Sequence, residues 1–188
     1  MEQILWSISE NTLIISGVDS MSNYHEYTPN HITTAPWGSR SNFITAVNIE
    51  KGIISIGDCA FLGCRNLMSA SISDSVSIIG ALAFAYCDSL AFVSIPNSVQ
   101  HIGNSAFHGC KSLMSIIIPD SVLNIGTFAF ADCCGLTEII NHATKPQKIE
   151  PNVFKGINKA NCTLRIPAEA ITKYTSIEGW HNFRIMPI

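Results

Sequence analysis

Four isoleucines, Ile56, Ile79, Ile102 and Ile125, stand 23 residues apart, and five further columns keep the same step without a change. They are Gly57, Gly80, Gly103 and Gly126; Ala60, Ala83, Ala106 and Ala129; Phe61, Phe84, Phe107 and Phe130; Cys64, Cys87, Cys110 and Cys133; and Leu67, Leu90, Leu113 and Leu136. Three more columns hold in three units: Ile72, Ile95 and Ile118; Ser75, Ser98 and Ser121; Val76, Val99 and Val122. A unit this short cannot bury its own apolar side chains. Equivalent positions must stack on one another, and the chain is predicted to wind into a solenoid in which each coil touches only its neighbours.

Within each unit the strand falls in the segment Leu-x-x-apolar-x-apolar. In Leu90-Ala91-Phe92-Val93-Ser94-Ile95, Val93 and Ile95 alternate with Phe92 and Ser94, the pattern of a half-buried strand. The chain carries 28 Ile against 10 Leu, and β-branched residues favour a pleated packed surface over a helix. The fold class predicted is therefore mostly β with little helix: a right-handed solenoid with a parallel sheet. One strand per coil is expected near residues 44–49, 68–72, 91–95, 114–118 and 137–140. The I-G-x-x-A-F segment is expected as a tight turn with a short extended or 3₁₀ piece. Residues 43–167 form the array, its last coil degenerate. Residues 1–42 read as an N-terminal cap containing a β-hairpin turned at Glu10-Asn11, and residues 168–188 as a short C-terminal cap with Tyr174, Trp180 and Phe183.

Charge narrows the partners. Of 188 residues only 13% are charged and the net charge is −3, with no run of Lys or Arg. Nucleic acid and anionic lipid need a basic footprint that this chain lacks. Mean hydropathy is +0.26, yet the longest apolar run, residues 78–87, falls far short of the roughly 20 residues of a spanning helix. The first residues, MEQILWSISENTLIISG, lack the basic region and apolar core of an export signal.

The unit I-G-x-x-A-F-x-x-C-x-x-L-x-x-[AVI]-x-I-x-x-S-V resembles the BspA-like leucine-rich repeat of bacterial surface and secreted proteins. Ile95-Pro96-Asn97-Ser98-Val99 and Ile118-Pro119-Asp120-Ser121-Val122 match its strand ending, whereas Ser73 stands where the pattern has Pro. Trp6-Ser7-Ile8-Ser9, Ser16-Gly17, Met21 and Pro36-Trp37 are similar to the leader that precedes such repeats; Gly179-Trp180 and Asn182-Phe183 are similar to the closing segment of Bacteroidetes-type members. The resemblance implies a leucine-rich-repeat solenoid, a cell-surface or secreted location, adhesin-like binding and no shared catalytic residues.

The remaining motifs read structurally. Four of the seven cysteines form one repeat column, as small buried side chains do, and their spacing is not that of a zinc site. Ser75, Ser98 and Ser121, with Thr144 in the fourth unit, are placed to satisfy turn backbone groups of neighbouring coils. His101, His108 and Cys110 are close in sequence, but Cys110 belongs to the interior column, and a nucleophilic thiol needs an exposed, electropositive setting. No cofactor, metal site or catalytic set is expected. Function falls to the outward strand positions. These are Ala46, Ser69, Phe92, Ser115 and Glu138 in one row, and Asn48, Ser71, Ser94, Ile117 and Ile140 in the next. Phe92, Ser94, Ser115, Ile117, Glu138 and Ile140 are the expected protein-binding face, with Phe92, Ile117 and Ile140 on adjacent strands and Glu138 nearly the only charge. The reading is a non-enzymatic module that binds a host or bacterial surface protein or glycan. The alternative is a structural spacer with no ligand of its own.

Overall fold

The computed structural model describes residues 3–27 and 31–188. Strands β1 (Gln3–Ser9) and β2 (Thr12–Ser20) form an antiparallel hairpin, and Glu10 and Asn11 take the left-handed backbone that a two-residue turn requires. A two-residue ribbon, β3 (Glu26–Tyr27) with β4 (Ile32–Thr33), precedes a 3₁₀ segment, Gly38–Phe43. The coils follow as β5 (Ala46–Ile49), β6 (Ile53–Ile56), β7 (Ser69–Ile72), β8 (Ile78–Ile79), β9 (Phe92–Val93), β10 (His101–Ile102), β11 (Ser115–Ile118), β12 (Asn124–Ile125), β13 (Glu138–Asn141) and β14 (Thr163–Ile166). A 3₁₀ turn at Ala168–Ala170, helix α1 (Ile171–Thr175) and β15 (Arg184–Pro187) end the chain. Strand dominates the regular structure, helix is scarce, and the coils form a β-solenoid of about six turns.

Successive coils pair in parallel and in register. Ala46 faces Ser69 and Ser69 faces Phe92; Ser115 faces Glu138 and Glu138 faces Thr163. Both terminal segments join this ladder, β2 against β5 and β14 against β15. One strand per coil is an undercount. Residues Ile78–Ile79, His101–Ile102 and Asn124–Ile125 form a second parallel ladder with β6, and β2 bends from one ladder to the other. The I-G-x-x-A-F segment is not 3₁₀. It is a chain of tight turns with Cys59, Leu82, Ser105 and Phe128, one per coil, at φ from 54° to 58°. Left-handed backbone is costly for such residues. Here it aims alternate amides at the next coil: Leu82, Phe84 and Tyr86 donate to the carbonyls of Asn104, Ala106 and His108 at 2.7–2.9 Å.

The first ladder breaks once. No strand pairing joins β9 to β11, and the sheet divides between the third and fourth coils. The rung that closes each strand pair runs from Ser73 N–H to the Ile49 carbonyl and from His142 N–H to the Ile118 carbonyl. At the two intervening junctions the donor position is Pro96 or Pro119, which has no N–H. The strand expected at 91–95 is accordingly only Phe92–Val93. The second ladder and the turn ladder run unbroken across the same junction and hold the coils together.

The core explains the columns. Phe61, Phe84, Phe107, Phe130 and Phe154 stack ring on ring with centroids 5.0–5.5 Å apart, Trp37 extends the stack at one end, and Trp180 and Phe183 close the other. Cys87, Cys110 and Cys133 donate their thiols to the carbonyls of Phe61, Phe84 and Phe107 at 3.1–3.2 Å. All seven cysteines are free. Glycine is required where coils meet backbone to backbone: a Cβ on Gly103 would stand 2.6 Å from the Gly80 carbonyl carbon, and one on Gly126 2.6 Å from that of Gly103. Ser75, Ser98 and Ser121 donate to the carbonyls of Ile53, Val76 and Val99. Thr144 does not continue this series. Gln147 replaces it, donating to the Val122 carbonyl at 3.0 Å while Asn141 donates to the Gln147 Oε1.

Candidate binding face

The alternation along each strand turns one set of side chains into the core and the other out. Val47, Ala70, Val93, Ile116 and Ile139 are buried beneath the sheet, and the two rows read from the sequence stand above them. Phe92 is 61% exposed and Ile117 45%, Ser94 and Ser115 are exposed, and Glu138 and Ile140 are half-buried. Ser115 lies directly opposite Glu138, and Ile117 opposite Ile140.

Two expectations need correction. Phe92 is not on a strand bonded to that of Ile117, because no pairing joins β9 to β11. Glu138 is not a lone charge: Arg165 Nε donates to its Oε1 at 2.7 Å. Arg165 and Arg184, the latter exposed, enter the face from β14 and β15, whose degenerate sequences hid their register.

Sequence reasoning also missed Met68 and Met114, 54% and 61% exposed in the row that flanks the strands. Large apolar residues at a position outside the repeat columns were the available signal. On the N-terminal half, β2 adds Thr12 and Ile14 in register with Ala46 and Asn48. The side chains between β2 and Phe92 are small and leave a hollow of about 280 Å³ whose wall is the Phe92 ring.

The His and Cys residues that the sequence places close together have other partners or are buried. Burial pushes the Cys64 thiol up to about 12 and holds Cys87 and Cys110 well above the ordinary thiol range, so none supplies a thiolate at neutral pH. His101 pairs with Asn124 at 3.1 Å, while His108 sets its ring against the edge of Tyr86 and its Nε2 3.8 Å from an Asp132 oxygen. Among the described residues no three His, Cys, Asp or Glu side chains are grouped to hold a metal ion. Among them, too, no helix is long and apolar enough to cross a membrane.

The profile of the BspA type leucine rich repeat region fits six copies across residues 39–174, most of the chain. The chain belongs to the BspA-type leucine-rich repeat family. Its solenoid is similar to the crystal structure of a leucine-rich repeat protein of T. pallidum, TpLRR. The TM-score is 0.56 at 20% identity, over 98% of this chain and 80% of that one. It is also similar to the pneumococcal vaccine antigen PcpA, with a TM-score of 0.60 at 18% identity over 77% of this chain and 41% of PcpA. At these identities the likeness is one of fold. No curated protein matches the sequence. The apolar repeat columns of this chain are buried, and its outward rows vary from coil to coil.

Proposed function

We propose that this BspA-type protein is a non-enzymatic, surface-exposed or secreted binding module that engages a protein or glycan of a host or bacterial surface through its sheet face. The observation that carries the reading is the set of exposed apolar side chains Met68, Phe92, Met114 and Ile117, with half-buried Ile140 beside Ile117, on and beside strands whose alternate positions Val47, Ala70, Val93, Ile116 and Ile139 are buried in the core. Such anchors, standing on a sheet fixed from below by a close-packed stack, reach a partner with little loss of side-chain freedom. The description of PcpA as a vaccine antigen accords with a fold displayed outside the cell, as does the bacterial surface character of the family.

The test is a panel of purified matrix proteins and surface glycans, with the wild type compared to Phe92→Ser/Ile117→Ser and melting curves to confirm folding. Loss of a bound partner in the folded double variant supports this face. Equal binding by the variant removes it, and no binding by the wild type across the panel favours the spacer.

A further inference from the structure

The sheet face is chemically divided at the gap between β9 and β11. On its C-terminal side the outward rows are Ser115, Glu138, Thr163 and Arg184, and Ile117, Ile140, Arg165 and Met186: aliphatic with paired charge. On its N-terminal side one row runs Ser9, Thr12, Ala46, Ser69 and Phe92, and the next Ser7, Ile14, Asn48, Ser71 and Ser94. Neither N-terminal row contains an ionisable side chain.

The polar groups of this half are unspent. Away from this face some small polar residues are used internally: Ser75, Ser77, Ser98 and Ser121 each donate to a backbone carbonyl of the preceding coil, and Asn104 accepts from Thr127. Among the described residues no intramolecular hydrogen bond engages the side chains of Thr12, Asn48, Ser69, Ser71 or Ser94. These five side chains border the hollow that Phe92 walls, above buried Leu13, Val47 and Ala70.

We infer that this hollow is a binding site for a neutral saccharide. Resting on the sheet-face reading, the inference assigns the N-terminal half its ligand class. A sugar ring offers an apolar C–H face and a rim of hydroxyls, each both donor and acceptor. Phe92 supplies an exposed aromatic surface for the first; Ser and Thr hydroxyls and the Asn48 amide, which also both donate and accept, meet the second. A phosphate, sulfate or uronate would be desolvated here with no cation to compensate it. Within these two rows a protein partner finds only Phe92 as a large exposed anchor, with Met68 at their flank. The hollow lies near the lower end of the ~300–1,000 Å³ typical of small-ligand sites, the scale of one or two sugar units, and a longer glycan would continue over the Ser7 and Ser9 rows.

The probes are neutral hexose and N-acetylhexosamine oligosaccharides, with heparin and polygalacturonate as acidic controls, read by calorimetry and by chemical-shift changes on the folded protein. A neutral oligosaccharide should bind with little dependence on salt. Phe92→Ala should weaken it on the order of tenfold, and Asn48→Ala or Ser71→Ala several-fold. Ile140→Ser, on the other half, should leave it unchanged. Failure of every neutral probe, binding of the acidic controls alone, or binding that survives Phe92→Ala and Asn48→Ala together overturns the saccharide assignment. The wider reading falls separately: if a protein partner is lost with Ile117→Ser/Ile140→Ser while no saccharide binds, the sheet face stands and only its N-terminal assignment is withdrawn.

Discussion

Replacing Phe107 by alanine tests the stacked core most directly. Its ring is fully buried, 5.3 Å from Phe84 and 5.4 Å from Phe130 and within 2° of parallel to both. Truncating a buried phenylalanine costs about 3–5 kcal/mol. Coil backbones held by two unbroken hydrogen-bond ladders have little freedom to collapse into the void, so a value of about 4 kcal/mol is expected. For a chain of this size that lowers the melting temperature by about 8–16 °C. Phe107→Leu keeps most of the volume and loses the two ring stacks, and should cost about 1–2 kcal/mol. Urea unfolding followed by circular dichroism gives both values. Because coils couple through nearest neighbours, the site of damage should also show. In a Trp180→Phe background the remaining indoles, Trp6 and Trp37, lie at the N-terminal end. Adding Phe107→Ala should then separate their fluorescence transition from the dichroism transition. A cost below about 1 kcal/mol with coincident transitions would refute the continuous stack.

Thiol burial has a pH signature. Burial holds the Cys64 thiol near 12, above the roughly 8.5 of a free thiol, so the folded state keeps the proton longer. Its contribution is full below about pH 8.5 and is lost as pH rises toward 12; the urea midpoint should fall across that window, and less steeply in Cys64→Ala. Native-state labelling with a thiol reagent should modify exposed Cys134 first and leave Cys64, Cys87, Cys110 and Cys133 protected until unfolding; rapid modification of those four contradicts the buried column. Ending the chain before Ala168 removes Trp180 and Phe183 from the face of Phe154 and strips β15 from β14. Aggregation or loss of cooperative unfolding is expected, checked by light scattering and calorimetry, and a soluble monomer with unchanged melting would show that residues 168–188 are not the cap.

The architecture was legible because a 23-residue period leaves a short chain one way to bury its apolar positions. Stacking equivalent residues satisfies the Ile, Phe, Cys and Leu columns at once, and the Ser column bonds between coils for the same reason. Even the Glu10-Asn11 hairpin turn is local chemistry. What the period cannot encode lies between coils and at their ends. Gln147 stands out of register with the serines it replaces, and only folding brings it beneath Val122. The left-handed residues Cys59, Leu82, Ser105 and Phe128 share no side-chain type, because the neighbouring coil's carbonyls impose that backbone. Pro96 and Pro119 are visible in the sequence, but only the stacked coils show that β7 and β9 stay paired without the Pro96 rung while β9 and β11, at the Pro119 position, do not. The gap between β9 and β11 separates Phe92 from Ile117. Arg165 reaches Glu138 across 27 residues of degenerate sequence. The sequence alone therefore determined which repeat-column side chains are buried, since that follows from periodicity; the tertiary structure decided the buried polar pair Asn141 and Gln147 and which exposed side chains are neighbours, since those distances depend on pairing between coils that no single repeat contains.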